Sequence, residues 1–205
     1  MIAPNIPTQV AACLVVSLVA NSLLAETRPD AWPTFRGVER TGVATADGEL
    51  LESWPDGGPA LIWRSAGAGR GYSSIAIAAG HLYTLGDAPS TAEDDYEYLT
   101  CFDQNNGRLL WKVRTGSAWS EGQPSWQGSR STPTVDGDCV YAMTPYGVVV
   151  CFTVSGEPRW HRDLPREFAG RKADSWGYSE SVLVDGERLL CTPGGRRPCT
   201  WFRYS

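Results

Sequence analysis

The chain has 205 residues, a formal net charge of −5, 42% hydrophobic and 20% charged side chains, a globular composition on the scale of one domain. The acidic balance leaves no basic stripe for nucleic acid and no lysine-rich run for an anionic membrane surface. Its 22 Gly, 14 Pro and 9 Trp leave few stretches long enough for helices and predict short strands joined by tight turns, with large aromatic anchors between them.

Residues 1–25 form a class of their own. No charged side chain occurs from Met1 to Ala25, Val10–Ala25 is nearly all apolar or small, and Glu26, Thr27 and Arg28 then restore polarity. The apolar run is short for a membrane span and ends on a small residue. It therefore reads as a secretory signal cleaved after Ala25, which places the mature chain in the periplasm or outside the cell with no membrane span. A retained N-terminal anchor is the alternative. Cleavage at the Val10-Ala11-Ala12-Cys13 box would leave the hydrophobic run on the mature protein, which argues against a lipid anchor. Removal of Cys13 leaves Cys101, Cys139, Cys151, Cys191 and Cys199. No CxxC occurs, and His81 and His161 are too scattered for zinc, so no metal site is predicted. Cys139 and Cys151 are placed to face each other across a hairpin, leaving one disulfide open, although small buried thiols are the favoured reading.

Three segments then align without gaps: Gly71–Gly80 (GYSSIAIAAG), Gly128–Gly137 (GSRSTPTVDG) and Gly177–Gly186 (GYSESVLVDG). Each runs into a β-prone stretch, and Asp136-Gly137 and Asp185-Gly186 are strong hairpin signals. After the first two hairpins comes a second signature, Cys101–Trp111 and Cys151–Trp160, which is strand, glycine turn, and a strand ending in tryptophan. Trp63 marks an earlier copy, and Trp63, Trp111 and Trp160 are 48 and 49 residues apart. That period holds four short strands and their turns, the length of one propeller blade. A four-stranded blade buries neither face alone and must stack on neighbours, with one tryptophan per blade wedged into the gap and small residues such as Gly107 and Cys101 making room for it. The expected fold is all-β: a β-propeller of four-stranded antiparallel blades, incomplete, with about three blades' worth of repeat over residues 26–195. Residues 196–205 lack alternation and the turn glycine. They read as an atypical truncated tail in place of a third strand and a docking tryptophan, so the chain is expected to be a fragment whose remaining blades belong to a longer parent.

Cys101–Trp111 resembles the Ala-x-Asp-x-x-x-Gly-x-x-x-Trp docking motif of pyrroloquinoline-quinone-type (PQQ-like) propellers, with Cys in place of Ala. Trp32-Pro33-Thr34-Phe35-Arg36-Gly37, with Gly42, and Gly69–Ser74 look like the start of exported bacterial members of that superfamily. The resemblance implies a quinoprotein-like fold and two functional readings. The first is a non-catalytic exported scaffold or binding module for a protein or glycan partner. The second is the N-terminal part of a pyrroloquinoline-quinone-dependent dehydrogenase. Site residues do not support the quinone: the adjacent Cys pair that quinone-dependent alcohol dehydrogenases stack on their cofactor is absent, and no catalytic constellation is visible.

The ligand-facing candidates are Arg70, Tyr72, Arg130, Trp176 and Tyr178, at or just before the entrance to each innermost strand, where guanidinium groups beside aromatic faces suit a flat, anionic ligand or a sugar. Tyr72 and Tyr178 share one repeat position, and a packing role against the neighbouring unit is the favoured reading for them. The acidic run Glu93–Glu97 reads as a solvated loop, and Trp119–Trp126 as a long loop without an assigned role.

Overall fold

The computed structural model describes residues 31–44, 51–88, 94–172, 175–195 and 200–203. Residues 1–25, read above as a secretory signal, with Cys13, and Cys199 lie outside them. Three antiparallel sheets follow one another along the chain. Strands β1 (Ala76–Ala78), β2 (His81–Asp87), β3 (Tyr96–Asp103) and β4 (Leu109–Ser117) form the first. Strands β5 (Thr134–Asp136), β6 (Cys139–Met143), β7 (Val148–Thr153) and β8 (Pro158–Asp163) form the second. The short helix α1 (Leu164–Phe168) leads to the third, built of β9 (Leu183–Asp185), β10 (Arg188–Cys191) and β11 (Thr200–Arg203). Each sheet pairs in simple sequence order, and β1 lies beside β5 and β5 beside β9. These are successive blades of the expected propeller-type architecture, with their first strands converging. Among the described residues no helix is long and apolar enough to cross a membrane.

Turn chemistry sets the hairpins. The β1–β2 loop is Ala79-Gly80, both at positive φ (51° and 80°), as a type I′ turn requires. In the other two hairpins the turn lies one residue later than the Asp-Gly reading put it. Asp136 and Asp185 are the last strand residues, and Gly137 (φ 55°) and Gly186 (φ 56°) take the first loop position, which type II′ turns reserve for glycine.

The tryptophan signature has an equally local cause. A bulge falls at the same place in both complete blades: Cys101 pairs with Trp111 and Phe102 with Leu109, Cys151 with Trp160 and Phe152 with Pro158. The extra residue bends the fourth strand and aims the tryptophan at the next blade. The sequence reading ended these strands at tryptophan, whereas β4 and β8 continue to Ser117 and Asp163 along β3 and β7. The Trp63 indole N–H donates to the Gln104 carbonyl (3.0 Å), and Trp111 donates to the Val154 carbonyl (3.1 Å). Each ring lies on a turn glycine of the following blade: a Cβ on Gly107 would come within 2.4 Å of Trp63, and one on Gly156 within 3.0 Å of Trp111.

The second blade is buried on both faces. Val140 and Ala142 pack toward Tyr83, Leu85, Leu99 and Cys101 of the first blade, while Cys139, Tyr141 and Met143 pack toward Tyr178, Val182 and Leu189 of the third. This is why β6 is apolar without interruption. The N-terminal segment ties the first strands together: Trp32 exchanges both backbone bonds with Ile77 (2.8 Å each), the Val135 N–H donates to the Pro33 carbonyl (2.7 Å), and Arg40 donates to the Val182 carbonyl (2.9 Å).

Two expectations change. Residues 200–203 are not a tail but the third strand of the third blade, with Phe202 opposite Leu189, as Phe102 stands opposite Leu82 and Phe152 opposite Val140. Cys139 and Cys151 are not direct partners across the hairpin, where they pair with Thr153 and Tyr141; they are diagonal neighbours whose thiols interact without forming a disulfide. Cys101, Cys139, Cys151 and Cys191 are buried free thiols, and burial pushes the Cys101 and Cys151 thiols up to about 12. All four should resist alkylation in the folded protein and react fully in denaturant without reductant, as read by mass spectrometry. An unmodified Cys139–Cys151 pair would contradict the structure.

Candidate functional site

The segments that lead into β1, β5 and β9 meet at one end of the blades. Gly71 lies parallel to Ser129, and the Tyr72 N–H donates to the Ser129 carbonyl (2.6 Å). This juxtaposition gathers four of the five candidate residues. The Arg130 guanidinium carbon sits 5.0 Å from the Tyr72 ring centre and 5.3 Å from that of Trp176, cation–π distances that hold a guanidinium without neutralising it. Arg130 also donates to the Trp126 carbonyl, while its Nε is buried without a partner. No carboxylate pairs with it among the described residues.

Trp126, which the sequence reading left in an unassigned loop, is the centre of the cluster. It ends a short 3-10 turn at Pro124–Trp126. Its ring stacks on Tyr72 (6.1 Å, 22°) and meets Trp176 edge-on (5.5 Å, 80°), and the Tyr72 hydroxyl donates to the Ser125 carbonyl (2.8 Å). The three residues stay 50% (Tyr72), 48% (Trp126) and 40% (Trp176) exposed, so the cluster remains accessible from solvent.

Arg70 borders the cluster but is committed. Its Nε donates to Asp87 Oδ1 (2.7 Å), a second nitrogen reaches Gln127 (3.5 Å), and its backbone pairs with that of Asp87. Tyr178 faces elsewhere. It is buried over Gly147 of the second blade, where a Cβ would come within 2.5 Å of the ring, and its hydroxyl donates to the Pro193 carbonyl (2.8 Å). One repeat position thus carries an exposed tyrosine in the first unit and a packing tyrosine in the third.

Beneath the aromatic residues lie two buried carboxylates. Asp87 and Glu97 are directly opposed on β2 and β3 and 1% and 0% exposed. Burial raises the Asp87 carboxyl from its ordinary value, and Arg70 pulls the other way. Burial pushes Glu97 up to about 7, with the Asp87 charge adding to the effect and the Ser129 and Thr115 hydroxyls opposing it. Thr115 donates to Glu97 Oε1 (2.9 Å), but Glu97 Oε2 and the Ser129 hydroxyl close no hydrogen bond of good geometry. Glu97 therefore does not belong to a solvated acidic loop. The two-residue period of β3 turns it inward with Leu99 and Cys101. Glu93 lies outside the described residues. Among the described residues no three His, Cys, Asp or Glu side chains come together to hold a metal.

Comparison with known proteins adds the family. A family model described as outer membrane protein assembly factor BamB matches residues 95–200, just over half of the 205 residues. The chain belongs to this family. Its blades are those of PQQ-like β-propeller repeat proteins, and no curated protein sequence matches it. Two solved structures resemble this BamB-family chain. One is a quinohemoprotein alcohol dehydrogenase from Pseudomonas putida HK5, with 15% identity, 64% of this chain and 18% of that one covered, and a TM-score of 0.42. The other is BamB from Moraxella catarrhalis, with 12% identity, 64% and 43% covered, and a TM-score of 0.37. The chain thus spans less than half the length of either.

Proposed function

We propose that this chain is part of an exported, non-catalytic β-propeller binding module. In this reading Tyr72, Trp126, Arg130 and Trp176, bordered by Arg70, hold a segment of a protein partner that carries a carboxylate beside an aromatic ring. The observation that carries it is the Arg130 guanidinium, held between two half-exposed rings with no carboxylate of its own among the described residues. An incoming carboxylate gains a charge-assisted hydrogen bond there, and an adjacent aromatic side chain gains a stacking face. The description of the matched family, an assembly factor, favours a protein partner over a small substrate.

The test is a tryptophan-fluorescence titration of the whole chain with four probes: an extended Glu-Phe peptide, its Gln-Phe counterpart, a neutral oligosaccharide and pyrroloquinoline quinone. The Glu-Phe peptide should bind best, and Arg130→Ala should weaken it about tenfold, the loss of roughly one charge-assisted contact. Preferential, saturable binding of the quinone, with alcohol-dependent dye reduction, would replace this reading with the oxidoreductase one. Binding of the oligosaccharide alone, unaffected by Arg130→Ala, would make the site a glycan surface.

A further inference from the structure

Cross-strand pairs on the face of the first blade that packs against the second run Tyr83–Cys101, Leu85–Leu99 and Asp87–Glu97. The row is apolar until its last pair, where two carboxylates stand side by side. Each carboxylate meets one of the two segments that build the aromatic cluster. Asp87 holds Arg70, two residues before Tyr72, through an ion pair and two backbone bonds of 3.0 Å. Glu97 faces Ser129, whose carbonyl holds the Tyr72 N–H and whose next residue is Arg130. Ser129 itself is completely buried, so the link between Glu97 and the cluster runs through packed atoms.

We propose that Glu97 is a positioning residue for the Tyr72–Trp126–Arg130–Trp176 cluster and that its protonation clamps the cluster, whereas its ionisation loosens it. The physical cause is the geometry of the pair. With Glu97 neutral, one charge (Asp87) is buried there, and Arg70 balances it. With Glu97 ionised, two adjacent buried carboxylates oppose each other, the one guanidinium is bound to Asp87, and Glu97 has only the neutral hydroxyls of Thr115 and Ser129 beside it. An unpaired buried charge is costly, and the nearest relief is for the segment at Ser129 to shift and admit water. That movement carries the Tyr72 amide and Arg130 with it. The other groups on this corner supply no cation to Glu97: Asp95, ahead of β3, acts on Asp87 in the same unfavourable direction, Thr115 and Ser129 offer only neutral hydroxyls, and Arg130 lies against the Tyr72 and Trp176 rings. The burial-raised carboxyl, at about 7, places the change near neutral pH. The consequence for ligand capture rests on the function proposed above; the clamp itself does not.

The reporter is the Tyr72 amide, whose acceptor is the Ser129 carbonyl. Hydrogen–deuterium exchange of the ligand-free chain, corrected for intrinsic pH dependence, should show protection of the peptides spanning residues 70–74 and 127–132 falling about tenfold between pH 6 and 8.5, as expected of local opening. Glu97→Gln should hold that protection constant across the range. Thr115→Val, which removes a hydrogen bond to the carboxylate, should move the transition to higher pH, a shift that a merely structural role for Glu97 would not produce. A flat wild-type profile, or the same fall in Glu97→Gln, overturns the proposal. If the exchange transition is present but no probe binds, the ligand reading falls and the clamp stands.

Discussion

Replacing Trp111 with alanine is expected to destabilise the protein by about 2–4 kcal/mol, somewhat below the range of about 3–5 kcal/mol for a fully buried aromatic, because Trp111 is partly buried. Trp111 is the joint between the first two blades. Its ring lies 5.8 Å from Tyr83 on one side and against Gly156 on the other, and its indole N–H satisfies the Val154 carbonyl. Truncation opens a cavity between blades and orphans that carbonyl. Against a typical domain stability of about 5–15 kcal/mol, the loss should shift the urea midpoint substantially and separate the unfolding of the blades, as followed by far-UV circular dichroism. Two further variants divide the effect. Trp111→Phe keeps most of the ring and should cost about 1 kcal/mol for the lost donor plus a smaller packing loss. Gly156→Val leaves the tryptophan intact but puts a branched side chain at φ 91°, where even a Cβ would come 3.0 Å from the ring. It should approach the alanine variant in severity. A loss below 1 kcal/mol for Trp111→Ala would mean that the tryptophan does not couple the blades.

That joint was legible because it repeats. Gly107 and Gly156 both precede a tryptophan by four residues, and the spacing is the signature of the turn, the bulge and the docked ring together. The third blade was misread for the complementary reason. Its outer signature lacks the turn glycine and the docking tryptophan, and only a subtler mark remains. Phe202 follows Gly186 by 16 residues, as Phe152 follows Gly137 by 15, and the structure puts both opposite an apolar residue of the preceding strand. The site divides in the same way. Tyr72, Arg130 and Trp176 could be found because each precedes a recognisable first strand. Trp126 could not, because its loop has no counterpart in the other units. Tyr178 shows the limit of repeat equivalence: it shares the position of Tyr72, but the glycine turn at Gly147 offers it a slot, and burial over that turn decides its orientation.

Glu97 was hidden by composition, since it closes the acidic run Glu93–Glu97, which on average belongs to solvent. Alternation was the better guide. Glu97, Leu99 and Cys101 occupy one face of β3, and a strand that buries Leu99 and Cys101 buries Glu97 too. This has a large expected consequence for stability. The folded-state carboxyl is raised to about 7 from a reference of 4.5, so the fold prefers the neutral form. The contribution is present in full below the unfolded value, declines as the pH rises between 4.5 and about 7, and stays lost above that. The difference corresponds to ~3 kcal/mol at most. Glu97→Gln carries the neutral form at every pH. It should therefore match the wild type near pH 4.5 and exceed it at pH 8 by about 2–3 kcal/mol, a gain of several degrees in Tm for a domain of this size. Asp87, raised in the same direction, leaves a slope of the same sign in the variant. Paired urea titrations at pH 5, 6.5 and 8 test this directly. If Glu97→Gln were less stable than the wild type at pH 8, the carboxylate would have to be paired in the folded protein, and the unbalanced Asp87–Glu97 pair could not be the origin of any loosening at the aromatic cluster.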